Sequence, residues 1–200
     1  MKLLVATRNP GKLREFARLL GGLPCQLLDL REAGVILEVE ETGRSFEENA
    51  RLKAQEYASA SGLLTLADDS GLEVDALGGE PGVMSARYGG PGLSDEQRVQ
   101  FLLEGMKAVP GHRRQARFRA AIALAGPGVP GGVIVTEGAV EGAIAHGPIG
   151  RNGFGYDPVF WLKERAKTMA ELTDAQKDAV SHRGQAARNI TEPLRSVLAG

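Results

Sequence analysis

The stretch from Leu63 to Leu72 constrains this chain more than any other. Leu63-Leu64-Thr65-Leu66-Ala67 has the composition of a short buried strand. Two adjacent carboxylates, Asp68 and Asp69, follow at once, then Ser70 and Gly71, before apolar character resumes at Leu72. Neighbouring carboxylates at a strand end repel each other unless something positive lies beside them, and a divalent cation is the usual partner. Asp, Ser and Gly are also ordinary turn residues. The stretch by itself therefore fits a solvated turn as well as a catalytic acid pair, and the rest of the chain has to separate the two.

Composition removes several classes of function. Two hundred residues can bury a real core, as one large domain or two lobes, and 42% apolar with 24% charged residues is ordinary for a soluble domain. There is no apolar run of about 18 residues, so no membrane span or membrane partner is expected. The first segment, Met1 to Thr7, turns polar too early for a signal peptide, and Cys25 has no second cysteine to pair with. A reducing cytoplasm is the expected compartment. A net charge of −1 argues against a protein that grips nucleic acid through bulk charge. Three scattered His and one Cys form no zinc-type cluster, so any metal should be held by oxygen.

In chain order, Lys2 to Ala6 reads as a buried strand, and Thr7-Arg8-Asn9-Pro10-Gly11-Lys12 as a loop into a helix whose apolar face is Leu13, Phe16, Ala17 and Leu20. Strand, Gly/Lys loop and helix together can present backbone N–H groups to phosphate. The spacing is not that of a Walker A loop, and a plain strand-to-helix connection fits as well. Gln26 to Leu30 suggests a second strand. Glu38-Val39-Glu40-Glu41 is a cluster of acids that gains meaning only if it lies near Asp69. Ser45 and Glu48 have the form of a capping box for a helix running to about Ser61, with Gly62 ending it. Asn49 and Lys53 fall one turn apart beside its buried stripe, so Lys53 must snorkel, pair with an acid or meet an anion.

A long Gly/Pro-rich segment from Ala76 to Gly92 reads as a structured loop, and Ser94 with Gln97 caps the next helix. Arg113, Arg114, Arg117 and Arg119 alternate with Ala116, Phe118 and Ala120, which predicts a half-buried strand with arginines on its outer face or at its start. Val133 to Ala143 continues as a strand after a Gly-rich turn, giving a hairpin-like unit. Gly153-Phe154-Gly155-Tyr156-Asp157 places two aromatics on a constrained backbone, which suits exposed rings stacking on a flat base or an aromatic plug in the core. Thr173 opens a helix carrying Lys177. Ser181-His182-Arg183-Gly184 opens the last helix, which Pro193 is expected to kink or split.

Taken together, Thr7-x-Asn9-x-x-Lys12, Ser45-Phe46-x-Glu48-Asn49-Ala50-x-x-Lys53-Ala54, Ala67-Asp68-Asp69-Ser70-Gly71-Leu72, Phe154-Gly155-Tyr156-Asp157-Pro158 and Ser181-His182-Arg183-Gly184 resemble the inosine/xanthosine triphosphate pyrophosphatases. Each motif is weak alone. In this order along nearly the whole chain they are specific. The resemblance implies a single α/β domain over residues 1–200, an elongated mixed sheet with flanking helices, and two lobes around a central substrate cleft. It implies a homodimer and Mg²⁺-dependent hydrolysis of ITP, dITP and XTP to monophosphate and pyrophosphate.

Carried over residue by residue, Thr7, Arg8, Asn9, Pro10, Gly11 and Lys12 resemble a triphosphate loop, in which Pro10 lacks a donor that phosphate could use. Asp69 resembles the general base and a metal ligand, and Glu40 a second metal ligand, with its neighbour Glu41 as the alternative. Ser70, Phe154, Gly155, Tyr156, Asp157, Lys177, His182 and Arg183 resemble substrate contacts, and Lys53 a phosphate neighbour. Three rivals stand beside this reading. A related pyrophosphatase of thymidine or modified pyrimidine triphosphates would differ in its substrates. A nucleotide sensor would bind without turnover. A nucleic-acid module would rest on the arginines from 113 to 119 alone.

Overall fold

The helical and strand periodicities resolve into five α-helices and seven strands in a computed structural model that describes residues 1–199. The strands are β1 (Lys2–Val5), β2 (Gln26–Leu28), β3 (Leu64–Val74), β4 (Gln115–Ala125), β5 (Val133–Ile144), β6 (Phe160–Leu162) and β7 (Lys167–Thr168). The helices are α1 (Pro10–Leu19), α2 (Phe46–Ser61), α3 (Asp95–Gly105), α4 (Asp174–Val180) and α5 (His182–Ala199). The strands form one mixed sheet in the order β2-β1-β3-β4-β5-β6-β7. β1 is parallel to both β2 and β3, while the β5–β6 and β6–β7 pairs are antiparallel. The fold is thus a mixed-sheet α/β fold with flanking helices.

The chain divides into two compact units, one of Met1–Asp69, Ala120–Gly138 and the residues from His182 on, the other of Ser70–Arg119 and Ala139–Ser181. In the first unit, alternate strand residues Leu3, Val5, Leu64, Leu66, Ala120, Ile122 and Leu124 form one core with Phe16 of α1, Leu20 at its C-cap, and Ala186, Ala187, Ile190 and Leu194 of α5. The residues between them, Leu4, Thr65, Ala67, Ala121 and Ala123, are buried as well. Both faces of this part of the sheet are therefore covered, which is why its strands read as continuous apolar runs. In the second unit, Leu72 and Val74 pack with Val99 and Leu102 of α3, Met106 at its C-cap, and Phe118, Val159 and Phe160.

Several expectations change at this level. The acidic pair does not end a strand or sit in a turn, because β3 runs on through Asp68-Asp69-Ser70-Gly71 to Val74. Arg114 stands at the start of β4, one of the two places expected, but it is buried there and donates to the carbonyls of Ile144, Met106, Val109 and Ala145. Its neighbours Arg117 and Arg119 do lie outward, paired with Glu73, and Arg117 also with Asp75 and Glu141. Pro193 sits inside α5 without ending it. One lost hydrogen bond is outweighed by burial of Leu194 and Val197 beyond it. Ser45 caps α2 through Glu48 N–H, but Glu48 reaches back to Arg44 N–H rather than to Ser45. The reciprocal box of Ser94 with Gln97 forms as expected, and Thr173, which opens α4 as expected, forms a second box with Gln176.

The first turn of α5 packs directly against Gly138 of β5. A Cβ there would lie 2.2 Å from the carbonyl oxygen of His182 and 2.7 Å from the amide nitrogen of Ala186. No side chain can give way, since both are backbone atoms. Gly138→Ala is expected to destabilise the protein by about 1–3 kcal/mol, the typical cost of overpacking. Gly105→Ala, where the new methyl meets nothing within 4 Å, should be neutral or slightly stabilising. Urea unfolding of both variants beside the parent chain measures the contrast.

Candidate active site

Residues on a strand alternate faces, so Asp68 and Asp69, though adjacent, point to opposite sides of the sheet. Asp68 shares the side of Leu64 and Leu66 and meets α1 and α5. Its Oδ2 lies 3.2 Å from Lys12 Nζ and 3.3 Å from Arg183 Nε. Arg183 also donates to Glu15 Oε2 at 2.5 Å, so a guanidinium only 2% exposed is held between two carboxylates. Burial alone would raise the Asp68 carboxyl, but Lys12 and Arg183 outweigh it and hold the group well below the usual carboxylate range.

Asp69 faces α2. Its Oδ2 accepts from Asn49 Nδ2 at 3.1 Å, and its Oδ1 lies 3.3 Å from Lys53 Nζ. Lys53 reaches on to Glu41 Oε1 at 2.5 Å. Of the three outcomes open to Lys53, pairing with acids is the one the structure adopts. Burial pushes the Asp69 carboxyl up, and the nearby Lys53 and Lys12 offset only part of that rise. For Lys53 the balance goes the other way: burial lowers the ammonium, while Asp69, Asp68 and Glu41 raise it above its ordinary value. The two adjacent acids thus have different chemistry. Asp68 is a fixed anion, and Asp69 is a carboxylate brought toward the range where it can accept a proton.

The acidic loop is fastened next to Asp69 from several sides. Asn49 Oδ1 accepts from Gly43 N–H at 2.7 Å, which leaves its amide nitrogen facing Asp69. A Cβ at Gly43 would lie 2.6 Å from that same oxygen, so the loop can approach only as glycine. Arg8, expected on the triphosphate, donates to the carbonyls of Leu37 at 2.9 Å and Ile36 at 3.4 Å. Glu40, named as metal ligand from the sequence, is exposed, and it is Glu41 that the structure brings to Lys53 and Asp69. The sequence left these two acids open; the difference is which one the strapped loop turns inward.

The Thr7–Lys12 loop differs from a free phosphate cradle. Asn9 is the N-cap of α1, and its side chain accepts from Gly11 N–H and Lys12 N–H. Asn9 N–H in turn donates to Thr7 Oγ1 at 3.2 Å. Pro10 occupies the first helical position, where a missing N–H costs little because that donor has no helical partner. The cation that this loop offers is Lys12, whose ammonium burial pushes below its ordinary value despite Asp68.

In the second unit, Phe154, Gly155, Tyr156, Asp157 and Lys177 come together, while Ser70 is partly buried on β3. Lys177 pairs with Asp157 Oδ2, and its ammonium lies 4.8 Å from the Phe154 ring centroid. Only Phe154 keeps an accessible ring. Tyr156 is 5% exposed and donates its hydroxyl to Ser85 O at 2.9 Å, so it is core rather than an exposed stacking ring. His182 and Arg183, in the first unit, are both buried.

Glu15 and Asn49 are site residues that sequence reasoning did not assign. Asn49 had a signal, its place one turn before Lys53. Glu15 had a weaker one, an acid three residues beyond Lys12 and beside the apolar stripe of α1.

Comparison with known proteins now bears on this geometry. A sequence model of the Ham1 family matches residues 3–193. The chain belongs to the Ham1 family. It is 52% identical over 193 residues to a protein of Geobacter sulfurreducens named dITP/XTP pyrophosphatase, covering 96% of each chain. It is 45% identical to one of the same name from Bacillus subtilis, again over 96% of each. Among solved structures, a Ham1 protein from Coxiella burnetii matches with a TM-score of 0.86 at 40% identity, over 100% of this chain and 98% of that one. In this Ham1 chain no helix among the described residues is long and apolar enough to cross a membrane.

The buried ion cluster should matter far more to stability than an exposed pair. Glu15→Leu leaves Arg183 with one carboxylate where it had two, and should cost about 3–5 kcal/mol in urea unfolding, as breaking a buried pair does. Arg51→Ala, which removes an exposed pair with Glu47 one turn away, should cost under about 0.5 kcal/mol. Asp68 also sets a pH dependence. Its folded value is depressed, so its stabilisation is fully present above the ordinary carboxylate range and is lost as pH falls toward the folded value. The melting temperature of the metal-free protein should hold between about pH 7 and 5 and drop steeply below about 4. Asp68→Asn should melt lower at neutral pH and show a shallower acid slope.

Proposed function

We propose that this Ham1 chain hydrolyses deaminated purine nucleoside triphosphates, ITP, dITP and XTP, to the monophosphate and pyrophosphate. The observation that carries the reading is Asp69: a carboxylate raised toward proton-accepting chemistry, held by Asn49 and sharing one ammonium with Glu41. Its relatives' name, dITP/XTP pyrophosphatase, supplies the substrate class.

The residues fit a hard divalent cation. Asp69 and Glu41 already converge on a cation, the Lys53 ammonium, and no group of three or more ligating side chains occurs among the described residues. Mg²⁺ commonly takes one or two carboxylates and completes its shell with water and substrate phosphate, which suits such a sparse set. Asp69 and Glu41 would hold it, and when bound it supplies charge neutralisation at the reacting phosphoryl group. The other roles belong to the chain. Asp69 takes the proton from the attacking water, which adds to the phosphorus nearest the sugar as the bond to the pyrophosphate oxygen breaks. Lys12 and Lys53 neutralise the departing pyrophosphate, and Arg183 with Glu15 keeps Asp68 and hence Lys12 in place. Phe154 offers a face to the base, with Lys177 and Asp157 beside it. The proposed assembly is a homodimer, carried by the resemblance alone, and the proposed compartment is the cytoplasm, carried by a lone Cys25 with no second cysteine to pair with.

Product analysis on ITP, XTP, GTP, ATP and TTP with Mg²⁺ tests the reading. Monophosphate and pyrophosphate from ITP and XTP are expected, with ATP and GTP nearly untouched. Preference for TTP, or release of orthophosphate, would overturn it. Asp69→Asn should lower kcat about 100- to 10,000-fold while nucleotide affinity changes little. Chelation of divalent metal should abolish turnover, and added Mg²⁺ should restore it.

A further inference from the structure

The aromatic loop has a backbone that cannot orient a ring by itself. Phe154 stands between Gly153, at φ +78°, and Gly155, at φ +60°. Glycine on both sides leaves the two peptide units that flank Phe154 Cα free to turn unless something grips them. Both are gripped, each by a carboxylate. Phe154 N–H donates to Asp157 Oδ2 at 2.9 Å, and Gly155 N–H donates to Asp95 Oδ2 at 2.8 Å. The first grip is local and needs glycine at 153, where a Cβ would meet Asp157 Oδ2. The second comes from sixty residues earlier in the chain.

We propose that Asp95 is a positioning residue for substrate recognition, fixing the orientation of the Phe154 ring through the Gly155 peptide. The proposal rests on the reading that Phe154 meets the base. Asp95 is itself firmly based. It opens α3, whose start is locked by the reciprocal Ser94–Gln97 cap. Arg98, one turn on, donates to Tyr88 O at 2.7 Å and Leu93 O at 3.0 Å, tying the helix to the Gly/Pro-rich segment. Tyr156 donates to Ser85 O in the same segment. The loop is therefore attached to one scaffold at Gly155 and again at Tyr156, and only the Gly155 attachment bears directly on a peptide unit of Phe154.

An acid in the first turn of a helix ordinarily does no more than complement the helix dipole. Here the carboxylate is exposed, yet it is committed to a single N–H of a distant loop. An exposed side chain contributes little to the core, so its removal should alter recognition more than stability.

The test uses Asp95→Ala and Asp95→Asn in the full chain, with Phe154→Ala and the double variant as references. Asp95→Ala should raise KM for ITP about tenfold with kcat changed less than about twofold, the scale of one charge-assisted hydrogen bond. Calorimetry should show IMP binding weakened by a similar factor and inorganic pyrophosphate binding unchanged. Asp95→Asn keeps an acceptor oxygen and should recover most of the IMP affinity. On the Phe154→Ala background, Asp95→Ala should add almost nothing. Wild-type IMP affinity in Asp95→Ala, equal loss of IMP and pyrophosphate, or additive effects in the double variant would each overturn the proposal. If Phe154→Ala leaves IMP affinity intact, the base-stacking reading fails and this inference with it. If Phe154→Ala weakens IMP but Asp95→Ala does not, only the positioning role fails.

Discussion

A β-strand turns successive side chains to opposite faces, and in this protein that rule acts on two adjacent carboxylates in the middle of a buried strand. Asp68 and Asp69 cannot share a partner geometry, so the fold supplies each with its own. On one face, α1 and α5 bring Lys12 and Arg183 to Asp68; on the other, α2 brings Asn49 and Lys53 to Asp69. Without these cations, burial would drive both carboxyls toward their neutral forms. The helices of the first unit thus bring cations to β3 as well as apolar stripes to the core.

This division of labour also explains why two chemically identical side chains differ. Asp68 faces two cations at close range, one of them shared with Glu15, and stays ionised. Asp69 faces one ammonium that Glu41 also claims, with a neutral amide as its second partner. Burial then prevails for Asp69 and the cations prevail for Asp68. One acid becomes a structural anion that steadies Lys12, and its neighbour becomes the candidate base.

The same logic of gripping flexible segments recurs elsewhere. The acidic loop is held by Arg8 at Leu37 and by Asn49 at Gly43, and the aromatic loop by Asp157 and Asp95 on either side of Phe154. At Gly43 and Gly153 glycine permits the close approach, and a polar side chain then holds the backbone that glycine leaves free. Arg114 does the corresponding work in the core, drawing carbonyls after α3 and β5 onto one guanidinium.

Much of this was legible in the chain itself. The apolar periods of α1, α2 and α3, the caps at Ser94 and Thr173 and the strand alternation around Phe118 are local properties, written in neighbouring residues. The order of the five motifs was enough to indicate the family. What the chain alone could not show depends on partners far apart in sequence. Whether Asp68-Asp69 was a turn or a strand interior was decided by Lys12, Arg183 and Lys53, at positions distant from β3. Whether Glu40 or Glu41 turned inward was decided by the straps on their loop. That Tyr156 is core while Phe154 stays half-exposed was decided by what the fold packs on Tyr156, an apolar cluster including Val159 and Phe160 and the Ser85 carbonyl. Local sequence determines periodicity because its causes lie within a few residues. Burial, ionisation and orientation belong to whatever the tertiary fold brings alongside.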